Sequence, residues 1–373
     1  MKKKIICTVT NDLTYDQRMI RICTSLTKAG YDVMLVGRIR ENSQPLRPQP
    51  FRQKRLRCFF DKGKLFYLEY NLRLFFFLLF NAFDAVNAVD LDTILPGFFT
   101  ARLKGKMCVY DAHEYFTEVP EVVHRPRVQR IWKTVERMTV PRLRFCYTVG
   151  ESLARLFTEE YKTPFAVVRN VPFRRERPAK STDISVASPK ILLYQGALNE
   201  GRGLEALIAA MEYIEGAELH LAGEGDLSNT LRDLVKEKRL SDKVTFLGFV
   251  LPQDLPAVTQ KAYLGLNLLE NRGLSYYYSL ANKAFDYMQA GKPSVHPAFP
   301  EYCSIEQKYG CFHLLEDLET ETVVQALRRL LTDADYYQKL TEDCRRAAEI
   351  FTWEPEEQVL SDVYKKCFAE MKK

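Results

Sequence analysis

Short apolar runs alternate along this chain with longer stretches whose apolar positions recur at helical spacing. In the first half, the runs that read as strands are Lys4–Thr10, Asp32–Gly37, Ala85–Ala88, Met107–Tyr110, Phe145–Val149 and Ala166–Arg169. Helices are predicted in the gaps, among them Asp16–Ala29, Thr93–Leu103 and Ser152–Glu160, and Gly30 supplies a C-terminal stop for the first of these. Residues 171–189 break the rhythm with Pro172, Pro178 and Pro189, several arginines and a Ser/Thr/Asp stretch, the composition of a linker. A second set of strand-like runs follows at Lys190–Gln195, Glu218–Ala222, Val244–Gly248, Leu264–Leu268 and Ser294–His296. Strands alternating with helices argue for parallel sheets with crossover connections. The expected class is α/β, with one doubly wound unit over 1–170 and a second over 190–354. Ligands of such sheets bind beyond the carboxyl ends of the strands, so two facing sheets would hold a ligand in the cleft between them.

Size and composition fit this organisation. A chain of 373 residues is long for one core and comfortable for two. Lys2, Lys3 and Lys4 precede only Ile5–Thr10, too short for the apolar region of a signal peptide. The nine cysteines show no CxxC spacing and no clustering with histidine, and Cys7, Cys108 and Cys146 sit inside strand-like runs as small hydrophobes. Reduced thiols and a cytoplasmic location are expected.

Charge changes the picture more. The net charge is +6, but residues 1–180 carry 33 Lys+Arg against 18 Asp+Glu, or +15, and the remainder carries 21 against 30, or −9. The first half is expected to face something anionic. Seven cations fall between Arg47 and Lys64, with Phe51, Phe59 and Phe60 interleaved, and seven more between Arg125 and Arg144, beside Trp132. Such a face suits either plain solvation or an anionic membrane surface. Leu65–Phe83 is very apolar, yet it carries Glu69 and Arg73 and falls short of the ~20 residues of a membrane span. A buried crossover helix is the expectation there. Nucleic acid is not an expected partner, since no zinc knuckle, RNA-binding aromatic motif or basic helix-turn-helix is present.

Candidate chemistry lies at strand ends. Gly196 to Gly203 follows the first strand of the second half, with Arg202 inside the loop. Glycines there would let the backbone approach an anion, and Arg202 offers a planar fork for phosphate; the alternative is an ordinary turn with a solvated arginine. Asn282 and Lys283 open a predicted helix one turn ahead of Asp286, whose carboxylate would accept both hydroxyls of a ribose; the alternative is a capped surface helix with a Lys–Asp pair. Gly223-Glu224-Gly225 ends a third strand of the same half. In the first half, His113 closes a strand, where a neutral imidazole would hydrogen-bond a sugar hydroxyl or a departing phosphate; the alternative is a capping Asp with an incidental histidine. Asp90-Leu91-Asp92 is better read as a helix start with Asp92 as N-cap than as a metal site, because no second carboxylate pair accompanies it.

Taken together, Asn11-Asp12-Leu13 with Asp16-Gln17-Arg18, Tyr110-Asp111-Ala112-His113-Glu114, Arg169-Asn170-Val171-Pro172 and the two segments around Arg202 and Asp286 resemble bacterial GT-B glycosyltransferases of family four, over nearly the full length. The resemblance implies two Rossmann-like domains with parallel sheets facing an interdomain cleft, and a last helix, over 355–373, that packs back toward the N-terminal domain. It implies retaining transfer from a nucleotide sugar, UDP- or GDP-linked, to a glycan or lipid-linked acceptor in surface polysaccharide synthesis, without a metal or other cofactor; the positive first half adds an expected place at the inner face of the cell membrane. The catalytic candidates are His113 and Arg202, which match family positions, and Lys283, which is this chain's own candidate. Gly196, Gly203, Glu224, Tyr278, Asn282 and Asp286 fall to the donor, and Asn11, Asp12 and Arg18 to the acceptor or cleft. Two positions depart from the family: Ala197 stands where a second cation is common, and Tyr278 where a glutamate usually meets the donor sugar. Lys283 would supply the missing charge, and Tyr276, Tyr277 and Tyr278 an altered sugar pocket. A nucleotide-sugar 2-epimerase of the same fold and a non-catalytic partner protein remain as alternatives.

Overall fold

The computed structural model describes residues 2–174 and 189–371. The chain divides into two compact units, residues 1–170 with 355–373, and residues 171–354. The linker expected over 171–189 falls mainly on residues 175–188, outside those described. At its near edge, the Trp353 N–H donates to the Pro172 carbonyl at 2.9 Å.

In the first unit seven parallel strands form one sheet. They are β1 (Lys4–Thr8), β2 (Asp32–Arg38), β3 (Arg52–Leu56), β4 (Ala85–Val89), β5 (Met107–Ala112), β6 (Phe145–Thr148) and β7 (Phe165–Val167), in the order β3-β2-β1-β4-β5-β6-β7. The chain runs outward from β1 on one side, then returns to β4 on the other. This reversal leaves a crevice beyond the carboxyl ends of β1 and β4. Helix Gln17–Lys28 starts beneath Asp16, whose carboxylate accepts the Met19 N–H at 2.9 Å. Helix Leu91–Lys104 lies against β4 and β5, flanked by helices Gly63–Phe80 and Pro126–Thr139. The last helix, Trp353–Glu370, closes the same unit: Tyr364 and Phe368 set their rings 6.3 and 5.2 Å from Tyr31.

The second unit repeats the plan with six parallel strands: β8 (Lys190–Gln195), β9 (Ala217–Ala222), β10 (Val244–Gly248), β11 (Leu264–Leu266), β12 (Ser294–Pro297) and β13 (Phe312–Leu315), in the order β10-β9-β8-β11-β12-β13. Its reversal lies between β8 and β11. Leu192, Leu207, Leu219 and Leu266 belong to the buried core around these strands. The Tyr287 hydroxyl reaches into the sheet and donates to the carbonyls of Leu193 (2.9 Å) and Leu266 (3.2 Å), pinning β8 and β11 together.

Two strands were not legible in the sequence. β3 reads Arg-Gln-Lys-Arg-Leu and pairs only with β2. Its charges suit an outer edge, where they deter pairing with another chain, and they hide the strand from an apolar pattern. β13 has only four residues and pairs at the opposite edge of the other sheet. The run Leu65–Phe83 forms the helix Gly63–Phe80, but it is buried on one face only. Among the described residues, no helix is long and apolar enough to cross a membrane.

One packing constraint is directly testable. A Cβ at Gly265 would lie 2.3 Å from the Tyr287 ring. Overfilling a packed core costs about 1–3 kcal/mol. Gly265→Ala should lower the unfolding free energy by an amount in that range, read as a lower urea midpoint at an unchanged m-value.

Candidate functional site

The carboxyl ends of β8 and β11 gather the groups that matter in the second unit. Gly196 has φ +138°, and a Cβ at Gly223 would stand 1.9 Å from the Gly196 carbonyl oxygen, so β8 and β9 end in contact that only glycine permits. Gly203 has φ +65°, and a Cβ there would meet the Leu268 carbonyl oxygen at 2.1 Å. Its role is close packing against the chain after β11, ahead of helix Leu204–Ala210.

Two cations stand in this crevice. Lys283 is 8% exposed, and its Nζ sits 3.7 Å above the centre of the Tyr194 ring. The same Nζ lies 3.3 Å from where a Cβ on Gly196 would be. Burial pushes this ammonium well below the ordinary lysine range, and the charge of Arg202 adds to the effect. The Arg202 guanidinium lies 5.0 Å from the Tyr276 ring centre, and its buried Nε has no hydrogen-bond partner. Among the described residues, no carboxylate forms an ion pair with either side chain. A buried ammonium without an anion is costly, and a ring face offsets only part of that. An anion in this crevice would favour the charged form of Lys283.

Asp286 lies in the helix Asn282–Gln289 and accepts from Gln195 Nε2 at 3.1 Å. Thr259 Oγ1 donates to Gln195 Oε1 at 2.8 Å, which fixes the amide and with it the carboxylate. Ahead of the helix, the Ala281 N–H donates to the Tyr302 hydroxyl at 2.9 Å, and Asn267 Nδ2 donates to the same oxygen at 3.0 Å. His296 completes this buried support. Its Nδ1 accepts from Asn267 Nδ2 at 3.2 Å, and burial together with Lys283 pushes its pKa down to about 3, so the ring is neutral. Gln195, Tyr194, Asn267, His296 and Tyr302 were not singled out in the sequence. They lie inside apolar strand runs or beyond the motif, where spacing gives no signal.

Contacts thus link Gly196, Arg202, Lys283 and, through Gln195, Asp286. Asn282 opens the same helix. Two donor candidates are placed otherwise. Glu224 pairs with Arg232 at 2.6 Å on the surface. Tyr278 packs its ring 5.1 Å from Tyr277, which in turn packs 5.4 Å from Phe299. The aromatic beside Arg202 is Tyr276 instead.

In the first unit, His113 follows β5 and is 21% exposed. Its Nε2 donates to Asp111 Oδ2 at 2.9 Å, and its Nδ1 lies 3.8 Å from Asp90 Oδ2. Asp90 also accepts the His113 N–H at 2.8 Å and holds a left-handed φ of +55°. Against its desolvation, the carboxylates of Asp111 and Asp90 raise the imidazole above its ordinary pKa. Asp111 and Asp90 thus shift the imidazole toward its protonated form. Arg18 requires a correction. It is buried, donating to Asp111 Oδ1 and to the Val168 carbonyl, both at 2.8 Å, so it holds β5 and the chain after β7 rather than a ligand. Asn11 spends its side chain on Asp16 (2.6 Å) and on the Leu13 N–H (2.9 Å), and Asp12 accepts from Thr14 N–H and Ser43 Oγ. These contacts shape the loop after β1. Asp90, not Asp92, is the N-cap of helix Leu91–Lys104; Asp92 lies in its first turn and accepts from Thr10 Oγ1 at 2.7 Å.

Comparison with known proteins identifies the architecture. Residues 189–333 match the family model described as glycosyl transferases group 1. Over 109 residues the chain is 35% identical to an uncharacterized glycosyltransferase of Methanocaldococcus jannaschii, covering 28% of this chain and 26% of that protein. The match thus spans about a quarter of that relative's length. Sucrose-phosphate synthase from Thermosynechococcus elongatus superposes with a TM-score of 0.82 at 16% identity, over 99% of this chain and 100% of that one. The fold is GT-B. Anabaena HepE, solved in complex with UDP-glucose, superposes with a TM-score of 0.74 at 12% identity, over 97% and 99% of the two chains.

Asp92 gives this region a pH signature. Burial raises its pKa from 3.8 to about 6. Its stabilising contribution is complete below about 3.8 and is lost as pH rises through about 6. Asp92→Asn keeps an oxygen for Thr10, so it should match the parent at pH 4. At pH 8 it should be more stable by on the order of 2 kcal/mol, read from urea unfolding at both pH values.

Proposed function

We propose that the protein is a glycosyltransferase that moves a sugar from a nucleotide-sugar donor, UDP- or GDP-linked, to a glycan or lipid-linked acceptor, with retention at the anomeric carbon. We place the reaction at the cytoplasmic face of a membrane, in surface polysaccharide synthesis. One observation carries the donor assignment: two cations, Lys283 and Arg202, stand without carboxylate partners at the strand ends where Asp286 is held by Gln195. A diphosphate fits between the cations, and a ribose diol fits the carboxylate. The family match over 189–333 and the UDP-glucose held by HepE agree with that chemistry.

In the reaction, an acceptor hydroxyl oxygen bonds to the anomeric carbon while the bond from that carbon to the donor phosphate breaks. The electron pair leaves with the nucleoside diphosphate, and the hydroxyl proton passes to a departing phosphate oxygen. Negative charge grows on the leaving phosphate, so Arg202 and Lys283 stabilise the transition state more than the ground state. Lys283 takes the place of the cation that Ala197 lacks. His113 donates a hydrogen bond to a sugar hydroxyl or to the departing phosphate.

A thermal-shift screen with UDP, GDP, ADP and their sugars tests donor binding. A ligand at 100 times its Kd should add about 2.7 kcal/mol of apparent stability. Stabilisation by none of them would overturn the assignment. With the selected donor, nucleoside diphosphate should appear only when an acceptor is added; an isomerised donor instead would mark an epimerase, and binding without turnover a silent partner.

Lys283→Met separates stability from binding. Removing an unpaired buried charge should raise the unfolding free energy of the free protein by at least about 1 kcal/mol. The same variant should lose most of the nucleotide-induced shift.

A further inference from the structure

The helix Gly63–Phe80 has two apolar faces, of which one is buried. Phe66, Tyr70, Leu74 and Leu78 are buried on the inner face. On the outer face Leu65, Leu68, Leu72, Phe76 and Phe80 are each more than half exposed. Steps of three and four residues keep these five on one stripe, and the 18 residues extend it over about 27 Å. A solvated helix would carry charge there; here Glu69 and Arg73 pair with each other at 2.7 Å beside the stripe.

The stripe ends beside a basic cavity. Lys104 Nζ donates to the carbonyls of Leu78 (3.1 Å), Leu79 (2.9 Å) and Asn81 (2.7 Å), tying the end of helix Leu91–Lys104 to the end of helix Gly63–Phe80. The same end of helix Leu91–Lys104 exposes Phe99 and Leu103 and contributes Phe98 and Arg102 to a cavity of about 180 Å3. Leu143 shares its apolar lining, and Lys106, Arg142 and Arg144 complete four cations around it. Their partners leave an excess of positive charge. Lys106 meets Asp84 at 3.2 Å, Arg144 meets Glu370 at 3.1 Å, and Arg142 donates to the Met138 carbonyl. The cavity opens where β5 begins, at the opposite end of the strand from His113.

We propose that this face docks on a bilayer containing anionic phospholipid, with the outer stripe of Gly63–Phe80 immersed among the acyl chains and a lipid phosphate seated in the cavity of Arg102, Lys106, Arg142 and Arg144. Charge complementarity selects this occupant. A protein partner would match the apolar stripe but gives no account of four cations at its end; a phosphate headgroup joined to acyl chains matches both. Arg127, Arg130 and Arg137 on helix Pro126–Thr139, which flanks helix Leu91–Lys104, extend the positive field. The docking face deepens the membrane placement proposed above, but it is independent of sugar transfer and is read without donor or acceptor.

Co-sedimentation of the full chain with vesicles decides it. Vesicles of phosphatidylcholine with 30% phosphatidylglycerol should bind the protein at least about tenfold more tightly than phosphatidylcholine alone, given about 1 kcal/mol per cation near the surface. The paired variants Leu72→Glu/Phe76→Glu and Arg102→Glu/Arg142→Glu should each weaken binding by about tenfold or more. All four side chains are at the surface or on the cavity rim, and circular dichroism confirms that the variants fold; if one does not, Leu68→Ser and Arg102→Gln replace it. No binding to the anionic vesicles overturns the proposal. So does binding that the stripe variant leaves unchanged, or binding that inorganic phosphate at 10 mM abolishes outright, which would mark a soluble-phosphate site instead. Any of these outcomes leaves the nucleotide thermal shift unaffected, so the two proposals fail separately.

Discussion

An ammonium group held over an aromatic ring, with no carboxylate ion pair among the described residues, governs the second unit. Lys283 has Tyr194 beneath it and Arg202 nearby, and both neighbours follow from the same local construction. Gly196 and Gly223 bring two strand ends together so closely that no side chain intervenes. Tyr287 ties β8 to β11, and the Tyr302–Asn267–His296 network holds the turn that feeds the helix of Lys283. Each contact is uncharged. The cations are thus held by neutral groups, and among the described residues no ion pair competes with an incoming anion.

The first unit solves a different electrostatic problem. Its charged groups are paired inward: Arg18 with Asp111, Asp111 with His113, His113 with Asp90. Asp90 adopts a backbone conformation that non-glycine residues rarely occupy, and its carboxylate holds the amide of His113 there. Much of the basic stretch from Arg47 to Lys64 is structural too. Arg55 donates to the carbonyls of Asp12 and Gln44, both at 2.6 Å, and Arg52 meets Asp32 at 2.9 Å. Trp132 packs with Phe116 and Tyr67 at ring distances of 5.0 and 5.7 Å. The sequence shows that cations and aromatics are neighbours, but not which of them face inward.

What was legible follows physical lines. Apolar strands that lie inside a sheet announced themselves, as at Lys4–Thr8 and Lys190–Gln195, because both faces are covered. The two edge strands did not, one because it is charged and the other because it is short. Among the site candidates, Asp286 rests on the resemblance, because a Lys–Asp pair on a helix alone reads equally well as a capped surface; Gln195 gives no signal, since one amide at the end of an apolar run looks like any other. Arg18 showed the opposite failure: its place in a motif drew attention, and only its burial against Asp111 reveals that it braces the sheet.

The first unit is discontinuous in sequence, and that has a consequence for synthesis. Tyr364 and Phe368 lie beside Tyr31, and Cys367 is buried in the same helix, so the apolar surface they cover stays open until residues 355–370 have been made. Residues 171–354 are complete before then. On a ribosome, the second unit is therefore the first to close its core, and the unit begun earlier must wait with part of its interior wet.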